Sequence, residues 1–344
     1  MQAVHINRHG GPEVLELVDV PAPEPRAGEV LVKMLAVSLN HLDLWVRRGM
    51  PGFKVAFPRI PGCDGIGEIA ALGEGVEGPR VGTRVLVEPG YSSGASVHDL
   101  AGNDHLSDDY EIRGEHSDGL CCEYVALPAR YVLPMPEGVD VIRAAAMPLV
   151  FLTAWGMVVS RAKVQSGESV IVIAGTSGVG SAAIQIARGI GARVVATAGS
   201  ASKLALARQL GADEVVDHSQ PDWGKEAKKH SGGRGFDVVV EHVGPATWDT
   251  SMRVLARNGR LVTCGGTTGP TVQIQLPHLF IKNQSVLGST MGPRSALAHI
   301  LNRLARGDYQ PVVDRVMPLS QIREAHTLLE SRQVLGKIVL TPGA

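Results

Sequence analysis

The 344-residue sequence carries almost no net charge, few cysteines and no long apolar run. Each lack closes a class of function. Lys and Arg number 33 against 34 Asp and Glu, a formal charge of −1, which gives no electrostatic case for a nucleic acid or an anionic membrane as partner. The most apolar stretch, residues 144–155, is too short to span a bilayer and contains Pro148. The opening MQAVHINRHGG has no apolar core of the signal-peptide kind. The four cysteines, Cys63, Cys121, Cys122 and Cys264, make no disulfide framework, and their spacings match no zinc pattern. No repeat, low-complexity tract or block of like charge stands out. These absences leave a cytosolic, two-domain chain with ample core as the expectation.

What the sequence does contain is organised around residues 169–183, SVIVIAGTSGVGSAA. Residues 169–174 are β-branched and apolar without alternation, as in a parallel strand buried on both faces. Gly175, Thr176, Ser177, Gly178, Val179 and Gly180 follow, and then an apolar helical pattern begins. Glycines allow a tight turn and a close backbone approach, and the helix N-terminus offers unpaired N–H groups, so the stretch reads as a phosphate-binding turn. The spacing departs from plain G-x-G-x-x-G, and an ordinary strand–helix turn is the competing reading.

The two halves of the chain differ in texture. Residues 1–150 give short strand-like runs at 2–4, 15–20, 29–38, 65–72 and 84–87, separated by Gly, Pro and acidic turns. Pro21, Pro23 and Pro25 forbid regular pairing between the second and third. This is an irregular β-barrel pattern. Strands at 169–174, 193–198, 214–216, 236–242, 260–264 and 285–289 then alternate with helices at 202–210, 223–229 and 246–256. Six strands with intervening helices predict a doubly wound α/β domain. Residues 298–305 and 319–329 read as helical, and 336–340 as a last strand returning to the first domain.

Seven segments together resemble the medium-chain dehydrogenase/reductase superfamily over nearly the whole chain. They are GGPEVLEL (10–17), SLNHLDLWVRRG (38–49), PGCDGIGEI (61–69), GVGSAAIQIA (178–187), GGRGFDVVVEHVG (232–244), NGRLVTCGG (258–266) and GKIVL (336–340). The resemblance implies a GroES-like catalytic domain over 1–150, completed by 292–344, a Rossmann cofactor domain over 151–291, and an active-site cleft between them. It also implies a homodimer or homotetramer formed through the edge strand at 285–289.

The family divides into zinc alcohol dehydrogenases and zinc-free reductases. A catalytic zinc needs three N or S ligands and an open position. By the resemblance, the first ligand slot is Asn40, followed by Asp43; the second is Cys63, followed by Asp64; the third lies near Leu149, ahead of Thr153. One possible ligand of three does not hold zinc, and Cys63 suits a small buried apolar position at least as well. The four cysteine slots of the structural-zinc loop fall at Ser93, Ser96, Asp99 and Ser107, which are poor zinc ligands. That loop is therefore expected to be mobile or re-packed. His98, His105 and His116 could take only adventitious metal, so no metal is expected.

The cofactor expectation is NADPH rather than NADH. NAD sites end the second strand with Asp or Glu for the ribose 2′-OH, whereas this strand ends Ala-Thr-Ala, followed by Ser200 and Lys203. A cation with neutral donors suits a 2′-phosphate, although Lys203 also reads as a solvated helix residue. The resemblance matches Lys203 and His218 to the adenosine-phosphate end, Asn40, Thr153 and Leu287–Gly288–Ser289 to the nicotinamide end, and Lys337 to a lysine that reaches the cofactor. Gly244, Gly265, Gly266 and Thr267 fall at strand ends on the binding edge.

Without a Lewis acid, a substrate that already accepts hydride well is favoured: a quinone or an alkene conjugated to a carbonyl. Its developing oxyanion needs donors, and Asn40, Trp45, Tyr91 and His116 are the candidates, with water as an alternative. Asp43 reads either as a base or, more simply, as a structural acceptor. Two other functions stay open, an alcohol or aldehyde dehydrogenase and a non-enzymatic NADPH-binding protein.

Overall fold

The structure, a computed structural model, describes residues 1–50 and 54–343. Its strands in chain order are β1 (Gln2–Ile6), β2 (Leu15–Asp19), β3 (Glu29–Ser38), β4 (Asp64–Leu72), β5 (Arg84–Val87), β6 (Gly90–Tyr91), β7 (Glu111–Ile112), β8 (Tyr124–Pro128) and β9 (Val132–Pro134). There follow β10 (Ser169–Val172), β11 (Arg193–Ala198), β12 (Glu214–Asp217), β13 (Phe236–Glu241), β14 (Leu255–Thr263), β15 (Ser285–Gly288), β16 (Val313–Pro318) and β17 (Lys337–Thr341). The chain divides into two compact units, Met1–Leu149 with Pro293–Ala344, and Val150–Gly292.

In the first unit a seven-stranded sheet runs β16-β17-β3-β4-β5-β9, with β8 pairing the open side of β3. Strand β3 is long enough to pair with β4, β8 and β17. Its register shifts twice along β4, the kind of irregularity that curls a sheet towards closure. Its inward residues Val30, Val32 and Met34 pack with Ile69, Leu127 and Leu340. The chain's last strand enters through Val339↔Ser38 and Leu340↔Val37, which sets Lys337 beside the end of β3. Strands β8, β9 and β16 carry no alternation strong enough to read in the sequence; they form because neighbours supply the pairing and the buried face.

The second unit is a six-stranded parallel sheet in the order β12-β11-β10-β13-β14-β15, the doubly wound α/β arrangement. All four residues of β10 are buried, as expected of a central strand covered on both faces. The chain leaves β10 towards β11 and β12, then crosses back to β13 on the other side of β10. The strand order reverses between β10 and β13, and a crevice outside the strand C-termini opens there.

Several boundaries differ from the sequence expectation. The strand expected over 169–174 ends at Val172, and Ala174 adopts φ +50; apolar character continues past the point where the backbone must turn. The strand expected at 260–264 begins at Leu255, where it pairs Phe236. The expected helix at 319–329 starts as a 3-10 turn over Leu319–Gln321 before the α-helix Ile322–Glu330. Helices His41–Arg48 and Pro148–Trp155 have no counterpart in the sequence reading. No helix among the described residues is long and apolar enough to cross a membrane.

Candidate active site

In the first unit, the end of β3, the start of helix His41–Arg48, the start of β4 and the start of β17 bring together Asn40, Asp43, Cys63, Asp64 and Lys337, each buried. The Asn40 amide donates to Asp64 Oδ2 at 2.9 Å and to Cys63 Sγ at 3.4 Å. Lys337 Nζ donates to Asn40 Oδ1 and, at 3.2 Å, to Asp64 Oδ2. Asp64 Oδ1 accepts the Leu149 N–H at 2.7 Å. Of the expected metal slots, Asn40 thus bonds both the Asp64 carboxylate and the Lys337 ammonium, Leu149 bonds Asp64, and Cys63 accepts from Asn40. Asp43 lies behind them, accepting the N–H groups of Asn40 at 2.7 Å and Gly62 at 3.0 Å. Burial, with a smaller contribution from the Asp64 charge, pushes its carboxyl up to about 6, against the lowering effect of the Asn40 N–H and Lys337. Burial likewise pushes the Cys63 thiol well above its usual range, and the Asp64 and Asp43 charges add to it.

Of the expected oxyanion donors, only Asn40 belongs to this cluster. Trp45 is half-buried one helical turn further on, and its backbone carbonyl accepts the Gly49 N–H. The Tyr91 hydroxyl donates to Glu111, and Arg113 lies 4.7 Å over the Tyr91 ring. His116 Nδ1 accepts the Ile112 N–H at 3.1 Å, closing a loop turn. The latter two are tied into the loop region, where the sequence offered no way to know which partners would claim them. Tyr110, not singled out in the sequence, packs its hydroxyl so close to Gly90 that a side chain there would clash.

The loop carrying Ser93, Ser96, Asp99 and Ser107 is re-packed around carboxylates. Asp99 Oδ2 accepts the Ser96 N–H at 2.9 Å and the Ser107 hydroxyl at 3.4 Å. Asp109 accepts the Ser107 hydroxyl at 2.5 Å and the Ser93 N–H at 3.0 Å. The Ser92 hydroxyl, followed by that of Ser96, holds the Asp99 carboxyl down at about 2. Beside the loop a cavity of about 220 Å³ is lined by Tyr91, Asp99, Asp104, Arg130, Tyr131 and Arg294 among others. Among the described residues, no group of three or more His, Cys, Asp or Glu is placed to hold a metal ion.

In the second unit the turn after β10 leads into helix Gly178–Ile190. Ser177 caps it, accepting the Gly180 N–H at 3.0 Å, and Gly178 and Val179 are first-turn residues, whose N–H groups have no intrahelical acceptor. A Cβ on Gly180 would strike the Ala174 carbonyl oxygen and come within 2.9 Å of Gly175 Cα; one on Gly175 would fall 2.9 Å from Ala196 Cβ. Thr176 is buried within this turn. At the tip of β11, Ser200 caps the next helix. His218 Nδ1 lies 2.9 Å from Thr197 Oγ1, and burial, then the Lys203 charge, push its imidazole pKa down. Lys203, in the first turn of the helix that Ser200 caps, and His218, which follows β12, both stand at the C-terminal ends of neighbouring strands. Gly244, at φ +88, donates to Glu241 Oε1 at 3.1 Å. Thr267 donates its hydroxyl to the His242 carbonyl at 3.0 Å, and Gly266 has no room for a Cβ beside Gly269. Gly265 N–H bonds Thr263 Oγ1 at 3.5 Å. At the end of β15, Leu287 is half-buried, the Gly288 carbonyl accepts from Arg161, and the Ser289 N–H donates to Thr263 O at 2.8 Å. Thr153 turns its hydroxyl to the Met291 sulfur at 3.7 Å. Lys337, expected to reach a cofactor, is folded inward onto Asn40 and Asp64.

Two family models match the chain: "Alcohol dehydrogenase GroES-like domain" over residues 26–137 and "Zinc-binding dehydrogenase" over residues 178–306. A zinc-type alcohol dehydrogenase-like protein of Schizosaccharomyces pombe is 33% identical over 91% of this chain and 90% of its own length. The chain belongs to the medium-chain dehydrogenase/reductase superfamily. Quinone oxidoreductase of Pseudomonas aeruginosa is 31% identical, over 97% of each chain. A solved structure described as an NAD-dependent alcohol dehydrogenase superposes with a TM-score of 0.97 at 46% identity, covering 100% of both chains. This member of the superfamily is an NAD(P)-dependent oxidoreductase with a GroES-like and a Rossmann domain.

The residues present fit a dinucleotide and do not fit a catalytic zinc. The glycine cradle and the first-turn N–H groups of the helix after β10 match a phosphate-bearing ligand. At the zinc slots, Asn40 presents its NH₂ group to Cys63 and Leu149 presents a backbone N–H, which leaves Cys63 as the one side chain of zinc-ligand type among the three. An amide NH₂ and a backbone N–H are donors, and a single cysteine does not supply the three ligands a catalytic zinc needs.

Proposed function

We propose that this chain is a zinc-independent, NADPH-dependent reductase of quinones or α,β-unsaturated carbonyl compounds. One observation carries the reading: the expected metal slots at 40, 63 and 149 are closed by hydrogen bonds around the Lys337 ammonium and the Asp64 carboxylate. The Rossmann residues Gly175–Gly180, Gly244, Gly265–Thr267, Leu287–Ser289 and Thr153 hold the dinucleotide, with Ser200, Lys203 and His218 on its 2′-phosphate. Once bound, the reduced nicotinamide supplies a hydride. Reduction of the acceptor also consumes one proton, and negative charge develops on its oxygen. Lys337 has three N–H donors, of which two are engaged by Asn40 and Asp64. We assign the third to the developing oxyanion, where a positive charge would do what a weakly activated substrate would require of a metal. Asn40 and Asp64 orient the ammonium, and Asp43 pins the Asn40 backbone. Tyr91 and His116, committed within their loop, are not assigned to chemistry.

The similarity to a structure described as an NAD-dependent alcohol dehydrogenase favours a second reading, oxidation of an alcohol with NAD. The strand tip without a carboxylate, Ala198 followed by Ser200 and Lys203, supports NADPH instead. The helix Leu276–Ile281, with Leu276, Phe280 and Ile281 exposed beside edge strand β15, supports a homo-oligomer through that edge. The deciding experiment is dinucleotide oxidation over a panel of quinones, enones and enoyl thioesters, NADPH against NADH, with bound metal measured on the same sample. NADPH turnover on at least one panel class without stoichiometric zinc is expected. Zinc at one per chain, or turnover only of alcohols with NAD, would overturn the reading.

A further inference from the structure

The crevice between β10 and β13 holds a histidine that no part of the function above uses. His242 follows the last residue of β13, where the strand order reverses, and only 9% of it is exposed. Its Nε2 lies 2.7 Å from Ser177 Oγ in the glycine turn, while Nδ1 is buried and has no hydrogen-bond partner. The nearest carboxylate offers no relief. Glu241 is fully engaged by the Val243 N–H at 2.6 Å, the Gly244 N–H and the hydroxyls of Thr247 at 2.9 Å and Ser251 at 2.7 Å.

Counting donors and acceptors within the protein favours one tautomer. Ser177 Oγ already accepts from the Gly180 N–H. If its own proton goes to His242 Nε2, one group is left unpaired, the Nδ1–H. If Nε2–H donated instead, two would be left, the serine proton and the Nδ1 lone pair. Burial lowers the imidazole pKa against the opposing Glu241 charge, in line with this count. The helix cap, the serine hydroxyl and the imidazole thus form a chain of donors that ends in an Nδ1–H waiting for an acceptor. A buried donor without a partner is costly, and this one belongs to a residue at the C-terminal end of β13 that is bonded to the glycine turn, on the edge where such sheets bind ligands.

We infer that His242 is a dinucleotide-binding residue, its Nδ1–H donating to a ribose or phosphate oxygen, and that Ser177 is the positioning residue that sets its tautomer. This rests on the dinucleotide reading of the crevice. It differs from a packing role in its effect: His242→Leu exchanges the orphaned Nδ1–H for an unpaired Ser177 hydroxyl proton, so ligand-free stability should stay near that of wild type while binding weakens.

The test uses the full chain. Equilibrium dissociation constants for NADPH and NADH, and ligand-free melting temperatures, are measured for wild type, His242→Leu and His242→Asn, the last keeping a donor near the Nδ1 position. Histidine ¹⁵N shifts are recorded for ligand-free wild type and Ser177→Ala. Expected are an Nδ1–H tautomer in wild type that is lost in Ser177→Ala, and binding by His242→Leu weaker by roughly tenfold with no fall in melting temperature. His242→Asn should recover most of the affinity. With adenosine diphosphoribose and 2′,5′-adenosine diphosphate as probes, a loss on the first alone places the acceptor at the pyrophosphate or the far ribose, and a loss on both places it on the adenosine side. An Nε2–H tautomer, or unchanged dinucleotide affinity in His242→Leu, would overturn the inference while leaving the dinucleotide reading intact. A wild type that binds neither dinucleotide would overturn both.

Discussion

Charge placement in two buried clusters decides what single residues do. Lys337 and Asp64 form an ion pair whose side chains are 5% and 0% exposed. Removing one partner of such a pair leaves the other uncompensated, so Lys337→Met should cost about 3–5 kcal/mol in urea unfolding. The same substitution combined with Asp64→Asn should recover a large part of that. Full recovery of stability without recovery of NADPH-dependent turnover would separate the ammonium's chemical part from its structural one. On the Rossmann side, Lys203→Ala should raise the KM for NADPH by about tenfold, the worth of one charge-assisted hydrogen bond, with the KM for NADH unchanged. An equal effect on both dinucleotides would remove Lys203 from the 2′-phosphate.

At the scale of elements, the turn after β10 and the loop between β6 and β7 illustrate two ways of holding backbone in place. The turn depends on close packing: Gly180→Ala would press a methyl onto the Ala174 carbonyl and the Gly175 backbone. Backbone cannot swing aside as a side chain can, so dinucleotide affinity by titration calorimetry should fall at least about tenfold, with the first turn of the helix disturbed. The loop depends on polar pairing. Next to it, Glu88 meets Arg294 at 3.1 Å, while its other oxygen is buried without a partner. Burial pushes its carboxyl up to about 7 despite the arginine. A carboxyl whose pKa is raised on folding binds its proton more tightly in the native state, so its contribution to stability falls as pH rises from the unfolded value of about 4.3 to about 7. Glu88→Gln cannot titrate. Its melting temperature relative to wild type should therefore climb across that window and level off above it. A flat difference would mean that Glu88 titrates near its ordinary value.

For the whole molecule, the open issue is how one chain meets another. Strand β15 ends the six-stranded sheet, and its outer edge is unpaired within the described residues. The neighbouring Phe280 and Ile281 are 66% and 57% exposed. An unpaired edge flanked by large apolar side chains invites pairing with a second copy. Phe280→Glu with Ile281→Glu should reduce the mass seen by sedimentation to that of one chain. A wild type that is already a single chain would refute the edge interface.

Much of this protein was written along the sequence itself. The buried run of β10, the glycines after it and the alternation of strands and helices follow from local rules of burial, turn geometry and periodicity, which act between near neighbours. The missing carboxylate at the end of β11 is equally plain, and the family resemblance marks the missing ligands at 40 and near 149. Partners far apart in the chain were not. Lys337 reaches Asn40 because β17 pairs β3 across some three hundred residues. Tyr91 and His116, which looked available for chemistry, are claimed by Glu111 and the Ile112 N–H once the loop closes. His242 meets Ser177 only because the fourth strand of the second unit is inserted beside the first. A side chain's type is local, but whether its donors and acceptors are spent or left over depends on which distant segments the sheet brings beside it, and that is settled by tertiary structure alone.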